Sequence, residues 1–201
     1  MTWTAFHHRG EVLRTVIDEA DLRRDGILPM HLSGVTESFH DELDLVGSLQ
    51  LRWHTRLAGM IERHLADQPL DLETAVQNAW AVTADELPGI RAIIDRYTES
   101  PTTPQMARAL TRAAAKERVL LATMAGRASQ AGPRAEAVGR DIEEAARASY
   151  QPATPMPATH RTTDREVLDE VLPTAEMVVE QAVPSGSAAF VARIKAVLAA
   201  A

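Results

Sequence analysis

Residues 35–66 read VTESFHDELDLVGSLQLRWHTRLAGMIERHLA, and this stretch decides the fold. Phe39, Leu43, Val46, Leu49, Trp53, Leu57, Met60 and Ile61 recur at spacings of three and four. That rhythm is the signature of one apolar stripe along an α-helix. No proline interrupts it, so the spacing predicts one continuous helix over 35–66, about 48 Å long at 1.5 Å per residue.

The same period recurs on both sides. Upstream, residues 3–24 place Phe6, Leu13, Val16, Ile17 and Ala20 on one face, and Gly26 and Pro29 end the helix. Downstream, Asp71 is an N-cap candidate for a third helix running to about Thr98. Its inward residues are Leu72, Val76, Trp80, Leu87, Ile90, Ile94 and Tyr97. Pro88-Gly89 falls inside it and predicts a kink or a division into two helices. Thr103-Pro104 starts a fourth helix, expected over 104–129, with Met106, Leu110, Ala113, Ala114, Leu120, Leu121 and Met124 inward. Gly132-Pro133 starts a fifth, to about Ser149, with Val138, Ile142 and Ala145 as a thin stripe.

Residues 150–162 contain Pro152, Pro155 and Pro157 and read as an extended linker. Thr163-Asp164-Arg165-Glu166 matches a capping box opening a sixth helix. A last helix carries Phe190, Val191, Ile194, Val197 and Leu198. The expected fold is therefore all-α: an up-down antiparallel bundle of four to five long helices over 1–149, the linker, and a C-terminal helical arm over 163–201. Two helices are too few to bury a core alone, so the arm is expected to pack on the bundle or on a second subunit.

Composition agrees with this class. Of 201 residues 45% are apolar, but only 4% are aromatic. Ala and Leu, the best apolar helix formers, supply much of the remainder. The formal net charge of −7 and interleaved basic and acidic residues, as in Asp21-Leu22-Arg23-Arg24-Asp25, oppose a nucleic-acid surface. No apolar run approaches the length of a bilayer span, and the N-terminus lacks the pattern of a secretion signal. Cysteine is absent, which removes disulfides, thiolate metal sites and Cys nucleophiles. These features together suggest a cytoplasmic protein.

Bundles often house metals between facing helices. A ferritin-like di-iron centre needs Glu from two helices and Glu-x-x-His from two others. This chain has one such motif, Glu37-Ser38-Phe39-His40, which makes Glu37 and His40 the candidate ligands for a divalent metal. The second motif is missing. Further His pairs of the kind other metal-binding bundles use are also missing, since no histidine lies between His64 and His160. No other cofactor is expected.

One residue breaks the pattern of its helix. Glu117 is in register with Met106, Leu110, Ala113, Leu120 and Met124, on an apolar face. A glutamate in such a place must be paired. Glu86 falls beside Leu87 and Ile90 in the same way. With His54 next to Trp53 and Arg14 next to Leu13, the set Glu86, Glu117, His54 and Arg14 forms a candidate ligand-binding group. The structural alternative is an ion pair of Glu117 with Arg14, Arg52 or Arg56. Trp53 and Trp80 are expected as core anchors whose indole N–H groups each need an acceptor. No catalytic motif is complete, catalytic residues are unassigned, and the question of enzymatic activity stays open. The favoured function is non-catalytic, through self-association as a homodimer or through a protein partner. The alternative is a small-ligand-binding or metal-dependent bundle enzyme.

Overall fold

The computed structural model describes residues 3–150, with side chains from His7 onward. The linker after Tyr150 and the arm over 163–201 lie outside the described residues. Seven helices and no strand occur among those described: α1 (Trp3–Arg23), α2 (Val35–Ser38), α3 (Glu42–Asp67), α4 (Leu72–Glu86), α5 (Pro88–Glu99), α6 (Pro104–Met124) and α7 (Pro133–Ser149). None of them is long and apolar enough to cross a membrane. The largest packing faces join α6 to α7, α3 to α4, and α1 to α5.

The expected single helix over 35–66 is broken. Phe39 turns to extended backbone and Asp41 caps a new start, its carboxylate accepting the Asp44 N–H at 2.8 Å. Asp44 reaches back to accept the His40 N–H at 3.0 Å. These reciprocal bonds satisfy amide donors that a helix start leaves orphaned. The break is then fastened from α1. Arg9 donates to the Ser38 carbonyl at 2.6 Å, to Asp44 at 2.8 Å and to Ser48 at 2.9 Å, and its guanidinium lies 4.2 Å over the Phe39 ring. The Arg9 hydrogen bond is the leading cause holding the Asp44 carboxyl below its usual range.

At Pro88 the alternative of two helices is realised. Leu87 leaves helical geometry, and Pro88 occupies the first turn of α5. The Gly89 N–H donates to the Asp21 carboxylate of α1 at 2.9 Å. α1 crosses so closely here that a Cβ on Gly89 would overlap the Ala20–Asp21 backbone. The fourth helix ends earlier than Ser129. Gly126 adopts φ 71°, and the N–H groups of Gly126 and Arg127 fold back to the carbonyls of Thr123 and Ala122. This is the glycine-terminated C-cap. The caps at Asp71, Thr103-Pro104 and Gly132-Pro133 form where the sequence places them.

The core follows the apolar stripes with several changes. Leu13 and Leu43 are half-buried while their neighbours Val12 and Leu45 are buried, and Ala113 and Ala114 are half-buried. Leu72 is exposed. On α7 the buried face is Ala135, Gly139, Ile142 and Ala146, rotated from the expected Val138, Ile142 and Ala145; Val138 is half-buried and Ala145 exposed. Small residues win that face because α6 comes very near: a Cβ on Gly139 would overlap the Arg118 carbonyl. Gly139→Ala should therefore push α7 off α6 and cost about 1–3 kcal/mol or more. Urea unfolding of the full chain measures this, and an unchanged midpoint would contradict the close crossing.

Candidate functional site

Glu117 sits in the middle of α6 and is only 3% exposed. The helix register that packs Leu110, Leu120 and Leu121 inward carries Glu117 inward with them. Its carboxylate meets both buried tryptophans. Trp53 of α3 donates its indole N–H to Oε2 at 3.0 Å, and Trp80 of α4 donates to Oε1 at 3.1 Å. The two rings pack edge to face, with centroids 5.8 Å apart and planes at 73°. The acceptor that each tryptophan requires is thus the same residue.

A histidine and an arginine complete the surroundings. His54 Nε2 lies 3.4 Å from Oε2, an ion-pair distance when the imidazole is protonated. Arg91 Nη1 of α5 lies 3.7 Å from Oε1, with its guanidinium 4.8 Å over the Trp53 ring. Burial pushes the Glu117 carboxyl up, but His54, Arg91 and the Trp80 indole outweigh it and hold the pKa at about 2. Glu117 is therefore an anion fixed inside the helices, unsuited to proton transfer near neutral pH.

The charge continues outward from Arg91. Arg91 Nη2 donates to Asp95 at 2.7 Å, and Arg147 of α7 grips Asp95 through two bonds of 2.9 and 3.1 Å. Arg147 also binds Glu143, which in turn accepts from Arg118 of α6. Burial would raise the Asp95 carboxyl, yet Arg147 and Arg91 bring it below its ordinary value. Asp95 and Glu143 raise Arg147 against the effect of burial. Arg147 also stacks 4.9 Å over Trp80, whose other edge meets Tyr150.

Beside this chain of charges opens a cleft of about 360 Å³ between α5, α6 and α7, with Gln50 of α3 at its back. Gln50 is 7% exposed and Arg91 9%. Gln50 Oε1 and Arg91 Nε and Nη1 are buried without any hydrogen-bond partner. Buried polar groups are rarely left in that condition, which makes this cleft the candidate site.

The candidate residues of the sequence separate. Glu117 and His54 come together. Glu86 turns away to Arg56, which holds it through bonds of 2.5 and 2.6 Å. Arg14 lies on the exposed side of α1. Arg91 pairs with Glu117, and Arg56 pairs with Glu86 instead. Glu37 and His40 are both exposed, and because α2 stops at Ser38 they do not share a helix face. No group of three potential metal ligands occurs among the described residues. Arg91, Asp95, Gln50 and Arg147 were missed. Arg91 adjoins Ile90 and precedes Ile93 and Ile94, so its register was inward like that of Glu117 and would have marked it.

The chain matches no family model, no curated protein and no solved structure.

Glu117→Gln keeps an acceptor for one indole but loses the charge facing Arg91 and His54. It should cost roughly 3–5 kcal/mol, the penalty of breaking a buried pair. For the unaltered protein the sign follows from the lowered pKa. Stability from Glu117 is complete above its unfolded value of 4.5 and is lost as pH falls toward about 2. Denaturant unfolding across pH 2–6 should show that slope flattened in Glu117→Gln; parallel curves would contradict it.

Proposed function

We propose that this chain is a small-ligand-binding helical protein whose ligand occupies the cleft between α5, α6 and α7. The observation that carries this reading is the pair Gln50 and Arg91, both more than nine-tenths buried, both lining the cleft, and both holding polar atoms without partners. The cleft volume of about 360 Å³ suits a small metabolite. Glu117 fixes Arg91 and the two tryptophans in position, and His54 joins it behind the binding wall. Of the other sequence candidates, Glu86 and Arg14 have no part in this reading, and nothing in the positions of Glu37 and His40 supports a divalent metal. The same proposal takes the helices as an up-down antiparallel bundle and the protein as cytoplasmic.

A thermal-shift panel of small polar metabolites tests it. A ligand at about one hundred times its dissociation constant adds roughly 2.7 kcal/mol, which for a chain of this size is a rise of about 5–10 °C. Gln50→Leu removes the buried unsatisfied carbonyl, so it should keep the unliganded melting temperature, weaken binding by about tenfold and so roughly halve the shift. A Gln50→Leu protein that responds like the original would place the ligand elsewhere.

A second reading is self-association as a homodimer, or with a protein partner, through residues 163–201 behind the linker 150–162. The apolar spacing of Phe190, Val191, Ile194, Val197 and Leu198 favours it. Light scattering of the full chain and of a version ending at Tyr150 decides the matter: the longer form should have twice the subunit mass, and the shorter should be monomeric. Equal association states would remove this reading.

A further inference from the structure

The cleft is chemically polarised, and its polarity names a ligand. Its inner wall offers one acceptor, Gln50 Oε1, and the Arg91 guanidinium, whose Nε has no hydrogen-bond partner and whose Nη1 has only the 3.7 Å ion pair with Glu117. A group that satisfies both must present oxygen lone pairs to the guanidinium and an N–H or O–H to the amide oxygen. A carboxylate beside an ammonium does this, and the opposite charges complement Arg91 on one side and the Gln50 carbonyl on the other.

The middle of the cleft is lined by Ile94, Leu110 and Ala114, an apolar passage suited to methylene groups. Its rim is acidic. Glu99 and Glu144 line the cleft, are exposed, and form no ion pair among the described residues. The rim cation Arg140 is directed to Glu136 at 3.7 Å. Counting formal charges, four arginines face five carboxylates in the lining, a net of −1. A multiply charged anion such as a phosphate ester would face that excess; a singly positive ligand would cancel it.

We propose that the cleft binds a free α-amino acid with a cationic side chain, its carboxylate on Arg91, its α-ammonium on Gln50 and its side-chain cation between Glu99 and Glu144. This rests on the reading of the cleft as the ligand site. The three subsites are separately testable because each has a probe that lacks one group.

Isothermal titration of the full chain compares L-lysine with L-norleucine, which lacks the terminal ammonium, with 6-aminohexanoate, which lacks the α-ammonium, and with cadaverine, which lacks the carboxylate. L-Lysine should bind tightest. Norleucine should bind about fivefold more weakly, as suits an exposed ion pair. The other two should each be weaker by about tenfold or more, as suits a buried charge-assisted hydrogen bond. The double variant Glu99→Gln, Glu144→Gln alters only exposed side chains and so should fold normally, and it should bind lysine and norleucine equally. Gln50→Leu should abolish the preference for lysine over 6-aminohexanoate.

If L-lysine binds no better than norleucine or cadaverine, the amino-acid assignment falls. If another probe, or a molecule of the metabolite panel, binds in a manner that Gln50→Leu weakens, the cleft remains a ligand site with a different ligand. If no probe binds at millimolar concentration and the panel is silent as well, ordered water fills the cleft and both readings fall.

Discussion

A carboxylate enclosed by four helices constrains everything around it. Removing Glu117 from water is costly, and the cost is offset only because two indole N–H groups, an imidazole and a guanidinium converge on its two oxygens. Those partners come from α3, α4 and α5, while the carboxylate comes from α6. Each helix is thereby held in one rotational setting. Sliding α6 by one residue would carry the charge into an apolar layer and orphan two tryptophans at once. An apolar side chain in its place would offer no such discrimination between registers, so the charge bears on which packing forms as well as on how stable it is.

The same carboxylate organises what lies further out. Arg91 is held over Trp53 beside Glu117, and its Nη2 turns to Asp95. Asp95 then binds Arg147, and Arg147 bridges to Glu143 and so to Arg118. An alternating row of charges therefore runs from the buried centre to the α6–α7 seam, each group offsetting the desolvation of the next. The cleft opens along this row. Of the unsatisfied atoms beside it, those of Arg91 belong to a residue that the row holds in place.

Close backbone approach supplies the second ingredient. Gly89 lets α1 lie against the start of α5, and Gly139 lets α7 lie against α6. The first contact brings Asp21 to the Gly89 N–H, so one helix caps another. The second brings Glu143 and Arg147 within reach of Arg118 and Asp95. With bulkier residues at either place, the wall of the cleft would move away from the arginines that line it.

The sequence by itself determined the helical class, most helix ends, and the oddity of Glu117. Periodicity and caps are local: Asp71, Thr103-Pro104 and Gly132-Pro133 act on amide groups a few residues away, so their effect is visible in order along the chain. The need of Trp53 and Trp80 for acceptors was equally legible, being a property of the indole. That Glu117 answers both needs was not legible, since 64 and 37 residues separate donor and acceptor. The break at Phe39 had a local signal in Asp41 and Asp44, yet the apolar spacing continues through it, and the Arg9 clamp from α1 reinforces the broken form. Glu86 and Glu117 look alike in sequence, each beside apolar neighbours at helical spacing. Only packing separates them, because Arg56 meets one at the edge while two indoles and an arginine enclose the other, and which side chains meet is decided by how helices lie across one another rather than by the residues along any one of them.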